Sequence, residues 1–305
     1  MGRLAGEGGV GEKQSRMDMN IALITYTGLP EMTVDDQRLL EPLRARGLMP
    51  YVVVWDDPKV DWTRFQLAVV RTTWDYFLEP EAFLAWLERV GSQVKLLNPP
   101  DVLRWNSHKS YLLQLAEQGI PVTPTALCPR GRKVSLPALV ATRGWRAVVI
   151  KPAVSGGGRL TRRFEGARLA DEGQAHLDLV LAEGDALVQP FLPELHEKGE
   201  RSYVYFDGVF SHAVVRPATM EASGGIPDGV ALAPLAEERT LAERVLAATP
   251  GRTLYARVDV ATGLDGNPLL QELEVIEPRL FLGASEGAPE RLADIIAGHI
   301  RGLSR

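Results

Sequence analysis

The 305-residue chain contains a single cysteine, Cys128, no long apolar run and no long tract of one charge. One thiol excludes an intrachain disulfide framework and fits a reducing compartment, so a cytoplasmic setting is expected. No stretch approaches the length of a membrane span. The opening segment, rich in glycine and charge, lacks the apolar block of a secretory signal. It reads as a disordered leader over residues 1–19, with Met17 or Met19 as alternative starts. A formal charge of −5 without a basic run leaves nucleic acid no electrostatic footprint. Internal repeats and low-complexity linkers are also lacking. What is present, 45% hydrophobic residues with 29 glycines and 21 prolines, suits an α/β enzyme with a large core and many turns.

Order begins with an apolar strand at 21–26, followed by a helix over 34–46 that Gly47 stops and a strand over 50–55. Another strand at 67–70 delivers Arg71-Thr72-Thr73-Trp74-Asp75-Tyr76, and a helix at 79–90 leads to a strand at 94–97. This alternation predicts a parallel sheet with helices on both sides. Ligands of such sheets collect beyond the C-terminal strand ends. Arg71, Thr72, Thr73, Trp74, Asp75 and Tyr76 are therefore the candidate substrate pocket, against the alternative that the two aromatics only pack on a second unit. From residue 106 the pattern changes. Asn106 or Ser107 can cap a helix reaching 118, and strands at 147–151 and 186–189 flank a glycine-rich turn and a polar helix. A hairpin over 202–206 and 209–215 turns at Asp207-Gly208. A helix at 236–247, a carboxylate-bearing hairpin and an amphipathic helix at 289–300 follow. The expected units after the leader are residues 20–105, 106–188 and 189–305.

The hairpin carries Arg257-Val258-Asp259 and then Gln271-Glu272-Leu273-Glu274-Val275-Ile276-Glu277-Pro278. Carboxylates on apolar strands need a cation, a basic partner or water. Glu272 and Glu274 share one strand face, and with Asp259 they would offer an all-oxygen site of the kind Mg²⁺ prefers. Lys151 ends an apolar strand just before Ser155-Gly156-Gly157-Gly158, so its ammonium and the unobstructed loop amides can reach an anion. A mobile loop beside a solvated lysine is the competing reading. Lys109 at a helix start opposes the helix dipole unless an anion or solvent compensates it. Gln189-Pro190-Phe191 leaves a strand with backbone groups that proline frees from the ladder, as a base-binding hinge or as a plain strand exit. Arg216 and Arg257 are the best further cations, and either can instead be an ordinary strand charge. Neither His108 nor His212 stands out as a general base, and Cys128 reads as structural.

In order, Asn106-Ser107-His108-Lys109, Val149-Ile150-Lys151-Pro152, Ser155 to Gly158, Gln189-Pro190-Phe191, Arg257-Val258-Asp259 and Glu272-Leu273-Glu274 resemble the ATP-grasp superfamily. The resemblance spans residues 106–282, with 21–99 similar to its usual N-terminal α/β domain. The segments around Arg71 to Tyr76, Gly199 to Ser202, Phe206 to Ala213 and Glu274 to Phe281 look like the cycloserine-pathway O-ureido-D-serine cyclo-ligases. The chain also resembles glutathione-synthetase-like ligases, which often have Glu-Ile-Asn where this chain has Glu272-Leu273-Glu274. The resemblance implies an α+β ATP-grasp fold, in which an N-terminal parallel-sheet domain precedes two subdomains clasping a nucleotide. It implies Lys109, Lys151, Ser155, Gly156, Gly157 and Gly158 on ATP phosphates, Gln189, Pro190 and Phe191 at adenine, and Asp259, Glu272 and Glu274 on Mg²⁺. The activity implied is carboxylate–amine ligation through an acyl phosphate on a small amino-acid-like substrate, with Arg216 or Arg257 gripping the reacting carboxylate. Cyclisation, intermolecular ligation and a non-catalytic nucleotide sensor are distinct outcomes of that fold. A homodimer is the commonest closed assembly.

Overall fold

The computed structural model describes residues 19–216 and 229–303. Apart from Met19, the expected leader lies outside the described residues. Strand β1 (Met19–Thr25) is followed by the short helices α1 (Val34–Gln37) and α2 (Leu40–Ala45), then β2 (Leu48–Val54) and β3 (Leu67–Thr72). Helix α3 (Pro80–Gly91) and β4 (Lys95–Leu97) complete the first sheet, which is parallel with strand order β2-β1-β3-β4. The helix expected over 34–46 is broken because Pro42 has no N–H to donate and its ring would meet a carbonyl one turn back. Within α2, Pro42 sits in the first turn, where no donor is required.

Both faces of this sheet are covered. Ile21, Leu23, Leu67 and Val69 pack against Leu39 and Leu43 on one side. The alternate residues Ala22, Ile24, Ala68 and Val70 meet Phe83, Trp86, Leu87 and Val90 of α3 on the other. Those four α3 residues recur at the spacing of one helix stripe. The last helix, α10 (Ala288–Leu303 at the end of the described chain), joins the first of these faces through Leu292, Ile296 and Ile300. Arg46 in turn pairs with Asp294 at 2.6 Å. The C-terminal helix therefore packs between the N-terminal unit and the third sheet, sharing one apolar cluster with Leu43 on one side and with Val204 and Phe206 of the later unit on the other.

Between these ends lie α4 (Pro100–Asn106), α5 (Tyr111–Glu117), β5 (Ala126–Cys128), α6 (Leu136–Arg143), β6 (Ala147–Pro152), β7 (Arg162–Glu165), α7 (Glu172–Glu183), β8 (Ala186–Pro190) and α8 (Pro193–Lys198). Strands β5-β8-β6-β7 form an antiparallel sheet in that order. The third sheet combines β9 (Glu200–Phe206), β10 (Val209–Arg216), β11 (Val230–Leu232), β12 (Tyr255–Thr262) and β13 (Pro268–Glu274), ordered β11-β10-β9-β12-β13, with α9 (Ala236–Ala247) packed against it. Asp207 and Gly208 both have positive φ, 51° and 79°, as the expected two-residue hairpin turn requires.

Asn106 does not open a helix. It closes α4, and α5 starts only at Tyr111. Tertiary bonds make the break: the Lys109 N–H donates to Ala153 O at 2.8 Å, and the Asn106 amide donates to Leu273 O at 2.8 Å. The first sheet is tied to the third by Asn98, fully buried, whose amide donates to Tyr255 O and Val275 O and accepts from Leu254 N. These ties bring the C-terminal ends of β1 and β3 over β12 and β13.

Candidate active site

A cavity of about 390 Å³ opens where the three sheets meet. Its walls carry Lys109 and Lys151, the loop from Ser155 to Gly158, the β8 exit Gln189, Pro190 and Phe191, and Glu272 and Glu274 of β13. Arg216 and Arg257 reach it from β10 and β12, and Tyr26, Trp74, Tyr76 and Phe77 close it from the first sheet. Most of the residues expected to handle a nucleotide thus converge on one cleft.

Register explains the acidic wall. Antiparallel pairing sets Asp259 opposite Glu272 and Arg257 opposite Glu274. Leu273, between the two glutamates, points into the core and is buried. Its backbone is fixed by Asn106 and by Tyr111, whose hydroxyl donates to Leu273 O and accepts from Leu273 N. Glu272 meets Lys109 at 3.0 Å and Lys151 at 3.9 Å, while Glu274 pairs with Arg257. Lys109 also donates to Ser155 O at 2.7 Å, anchoring the start of the glycine-rich loop. Within that loop Gly157 and Gly158 have φ of 59° and 74°, a region that side-chain-bearing residues rarely enter. A Cβ on Gly156 would come within 2.9 Å of Phe77, so the loop lies directly on the aromatic rim.

The three carboxylates expected on metal do not form one cluster. Asp259 is fully buried and does not reach the cavity wall. Both its oxygens are held by Arg257, at 2.9 and 2.8 Å, with Ser202 donating to it at 2.6 Å. The cause is local: Arg257 lies two residues away on the same strand face, a shorter reach than the cavity. Among the described residues no three His, Cys, Asp or Glu side chains are placed to hold a metal ion.

The remaining acidic groups still suit a hard cation. Burial pushes the Glu272 carboxyl up, but Lys109 and Lys151 outweigh it and hold it below the usual range. Glu274 is pushed up to about 7 by burial, which Arg257 only partly offsets and which Asp259 and Glu272 reinforce. Glu277 is raised well above its ordinary value by burial and then by Glu274. Two carboxylates side by side on one strand face supply the all-oxygen ligands that Mg²⁺ prefers. Between the ordinary carboxylate value and pH 7, folded Glu274 keeps a proton that the unfolded chain loses, so its contribution to stability declines over that window as pH rises. Mg²⁺ with a non-hydrolysable ATP analogue is therefore expected to raise Tm more at pH 8 than at pH 5.5. Thermal melts at the two pH values check this, and an equal shift contradicts it.

On the substrate side the structure separates the expected residues. Trp74 and Tyr76 line the cavity, but Arg71, Thr72, Thr73 and Asp75 do not. Arg71 is buried against Asp36 at 2.8 Å and donates to Pro278 O at 2.8 Å. Thr72 donates to Thr25 Oγ1, Thr73 is fully buried, and Asp75 accepts from the Trp55 indole. The sequence treated the six as one polar run, whereas β3 extends through Thr72 and keeps that part inside the sheet. The Gln189 amide donates to Thr125 Oγ1, so this linker meets a ligand through its backbone and Phe191, whose ring lies 3.8 Å from the Arg163 guanidinium. His108 faces Asp185 and Ser110, His212 bonds Leu280 O, and Cys128 is core. None of these three lines the cavity.

Sequence reasoning assigned no role to Tyr26, Phe77, Glu277 or Arg279, all on the cavity wall. For Glu277 a signal existed, a carboxylate directly after the buried pair Val275-Ile276.

Comparison with known proteins gives the same architecture. Residues 21–98 match the model of the N-terminal domain of D-cycloserine synthetase DcsG. The cycloserine biosynthesis protein DcsG of Streptomyces lavendulae is 31% identical, covering 92% of this chain and 99% of its own. A crystal structure of D-cycloserine synthetase DcsG superposes with a TM-score of 0.85 at 31% identity, over 92% of this chain and 99% of that one. A RimK-domain ATP-grasp protein from Sphaerobacter thermophilus superposes at 0.66 and 22% identity, over 90% and 98%. The D-alanine–D-alanine ligase of Bacillus anthracis, solved with ATP, superposes at 0.66 and 17%, over 94% and 100%, and bears on the fold alone.

Proposed function

The chain belongs to the D-cycloserine synthetase family of ATP-grasp enzymes, and from that premise we propose an ATP- and Mg²⁺-dependent carboxylate–amine ligase acting on a small amino-acid-like substrate. The carboxylate attacks the γ-phosphate of ATP, giving an acyl phosphate and ADP. An amine then displaces phosphate and forms the C–N bond. Within the family resemblance, an amine of the same molecule is the favoured nucleophile, which makes the product a ring. One observation carries the reading: two buried lysines, two arginines and two glutamates converge with a glycine-rich loop on a single cleft.

In this reading Lys109, Lys151 and the amides of Gly156, Gly157 and Gly158 hold the phosphates, and Gln189, Pro190 and Phe191 flank the base. Glu272 and Glu274 would hold the cation, which neutralises charge on the transferred phosphoryl group when bound. Asp259 acts from behind, keeping Arg257 aimed at the cleft, and Arg216 and Arg257 meet the reacting carboxylate. Lys109 and Lys151 rest on Glu272 until phosphates replace it, so no bare charge is left in either state. Trp74 and Tyr76 bound the substrate half. The proposed division runs near residues 105 and 188, with α10 joining the last unit to the first. Among the described residues no helix is long and apolar enough to cross a membrane. A cytoplasmic setting and a homodimer complete the proposal, the latter checked by sedimentation.

A mass-spectrometric screen with Mg·ATP, covering ureido amino acids, short peptides and amine-bearing carboxylates, tests the function. ADP release with one substrate alone, giving a ring without a second amine, is expected. A strict requirement for a second amine would select intermolecular ligation. ATP hydrolysis that no carboxylate stimulates would overturn the ligase.

A further inference from the structure

We propose that Glu277 receives the ammonium group of the substrate and so selects amino acids over other carboxylates, an inference that rests on the ligase reading. The other carboxylates of the cavity wall each have a cation: Glu200 has Arg216, Glu272 has Lys109 and Lys151, and Glu274 has Arg257. Glu277 alone among them has no ion pair or side-chain hydrogen bond within the described residues. Its carboxylate is nevertheless well placed. The Glu277 carbonyl accepts from the Trp74 indole at 3.0 Å, and the next carbonyl, Pro278 O, accepts from Arg71 at 2.8 Å. Two bonds from one sheet thus pin the backbone just after the Glu277 Cα, and the Tyr255 hydroxyl, donating to Ile276 O at 2.9 Å, pins it just before.

The surroundings call for a cation of organic character. Glu277 Oε1 lies 3.8 Å from where a Gly156 Cβ would be, at the edge of the phosphate-facing loop. A carboxylate there is repelled by a bound polyphosphate unless positive charge lies between them. Trp74, Tyr76 and Phe77 line the same cavity, and aromatic rings favour an organic ammonium over a hydrated metal ion. In an α-amino acid the ammonium is one carbon from the carboxylate to be activated. Glu277, Arg216 and Arg257 line the same cavity, which offers each of those opposite charges a partner. Selection follows because a substrate without the ammonium leaves the half-buried Glu277 without a counter-charge.

The test compares wild type with Glu277→Gln, an isosteric change at a group that makes no ion pair within the described residues. The probes are O-ureido-D-serine and its des-amino counterpart, 3-(ureidooxy)propionate. Binding is read by calorimetry with Mg²⁺ and a non-hydrolysable ATP analogue, and turnover by ADP release. Wild type is expected to prefer the amino acid, and the variant to lose about 10- to 150-fold of affinity for it, with its KM raised accordingly. Affinity for the des-amino probe, the ATP KM and the Mg²⁺ requirement should stay unchanged. A wild type that binds the two probes alike, or a variant that keeps the wild-type preference, overturns the proposal. A rise in the Mg²⁺ needed for half-maximal activity also overturns it, by making Glu277 a metal ligand. Failure of the ligase reading would look different, as a wild type in which no carboxylate stimulates ADP release.

Discussion

Replacing Lys151 by methionine is expected to lower kcat/KM by about 10²- to 10³-fold, the cost of one well-placed donor to developing charge in a water-poor site. Lys151 is only 6% exposed, and burial holds its ammonium below the usual lysine value, with Glu272 opposing that shift. Its positive charge is thus maintained by nearby anions, and phosphates can replace Glu272 in that role. Methionine retains much of the volume and removes the charge. The fold should survive, because Glu272 keeps Lys109 at 3.0 Å. The measurement is steady-state ADP release, with circular dichroism to show that the variant is folded. Activity within threefold of wild type would remove Lys151 from the phosphate site. Lys109→Met should behave differently, since Lys109 also anchors Ser155 O and its loss releases the loop as well as the charge.

Much of the cleft was legible because it depends on short-range geometry. Glu272 and Glu274 share a face by strand periodicity, and the turn between β12 and β13 sets their register against Arg257. Lys151 and the glycines after it are contiguous, and the first parallel sheet shows as continuous apolar runs. What was hidden depends on partners far along the chain. Asn106 looks like a helix cap until its amide is seen to serve β13, 167 residues away. Asp259 looks like an open carboxylate until Arg257 is seen to hold both its oxygens. The short strands β5 and β7, of three and four residues, have no period long enough to read. The place of α10 between the first unit and β9 is a matter of topology that its amphipathic pattern does not encode.

Arg71 is the sharpest of these differences, and it yields the second large expectation. Arg71→Met should destabilise the protein by about 3–5 kcal/mol, the cost of leaving a buried charge without its partner. The guanidinium is 1% exposed, donates to Asp36 and to Pro278 O, and lies 4.6 Å from the Tyr255 ring centroid. Its removal leaves the Asp36 carboxylate, itself 2% exposed, with the Thr33 hydroxyl as its remaining side-chain partner among the described residues. It also frees the segment that carries Glu277. For a protein of this size the loss corresponds to roughly 5–10 °C in Tm. Adding Asp36→Leu should recover part of it, because an apolar pair no longer buries an unmatched charge. Denaturant melts of wild type, both single variants and the double variant measure that coupling. A substrate-binding arginine would behave in the opposite way, with Tm preserved, KM raised and no rescue by Asp36→Leu. That outcome would return Arg71 to the pocket where its sequence neighbours first placed it.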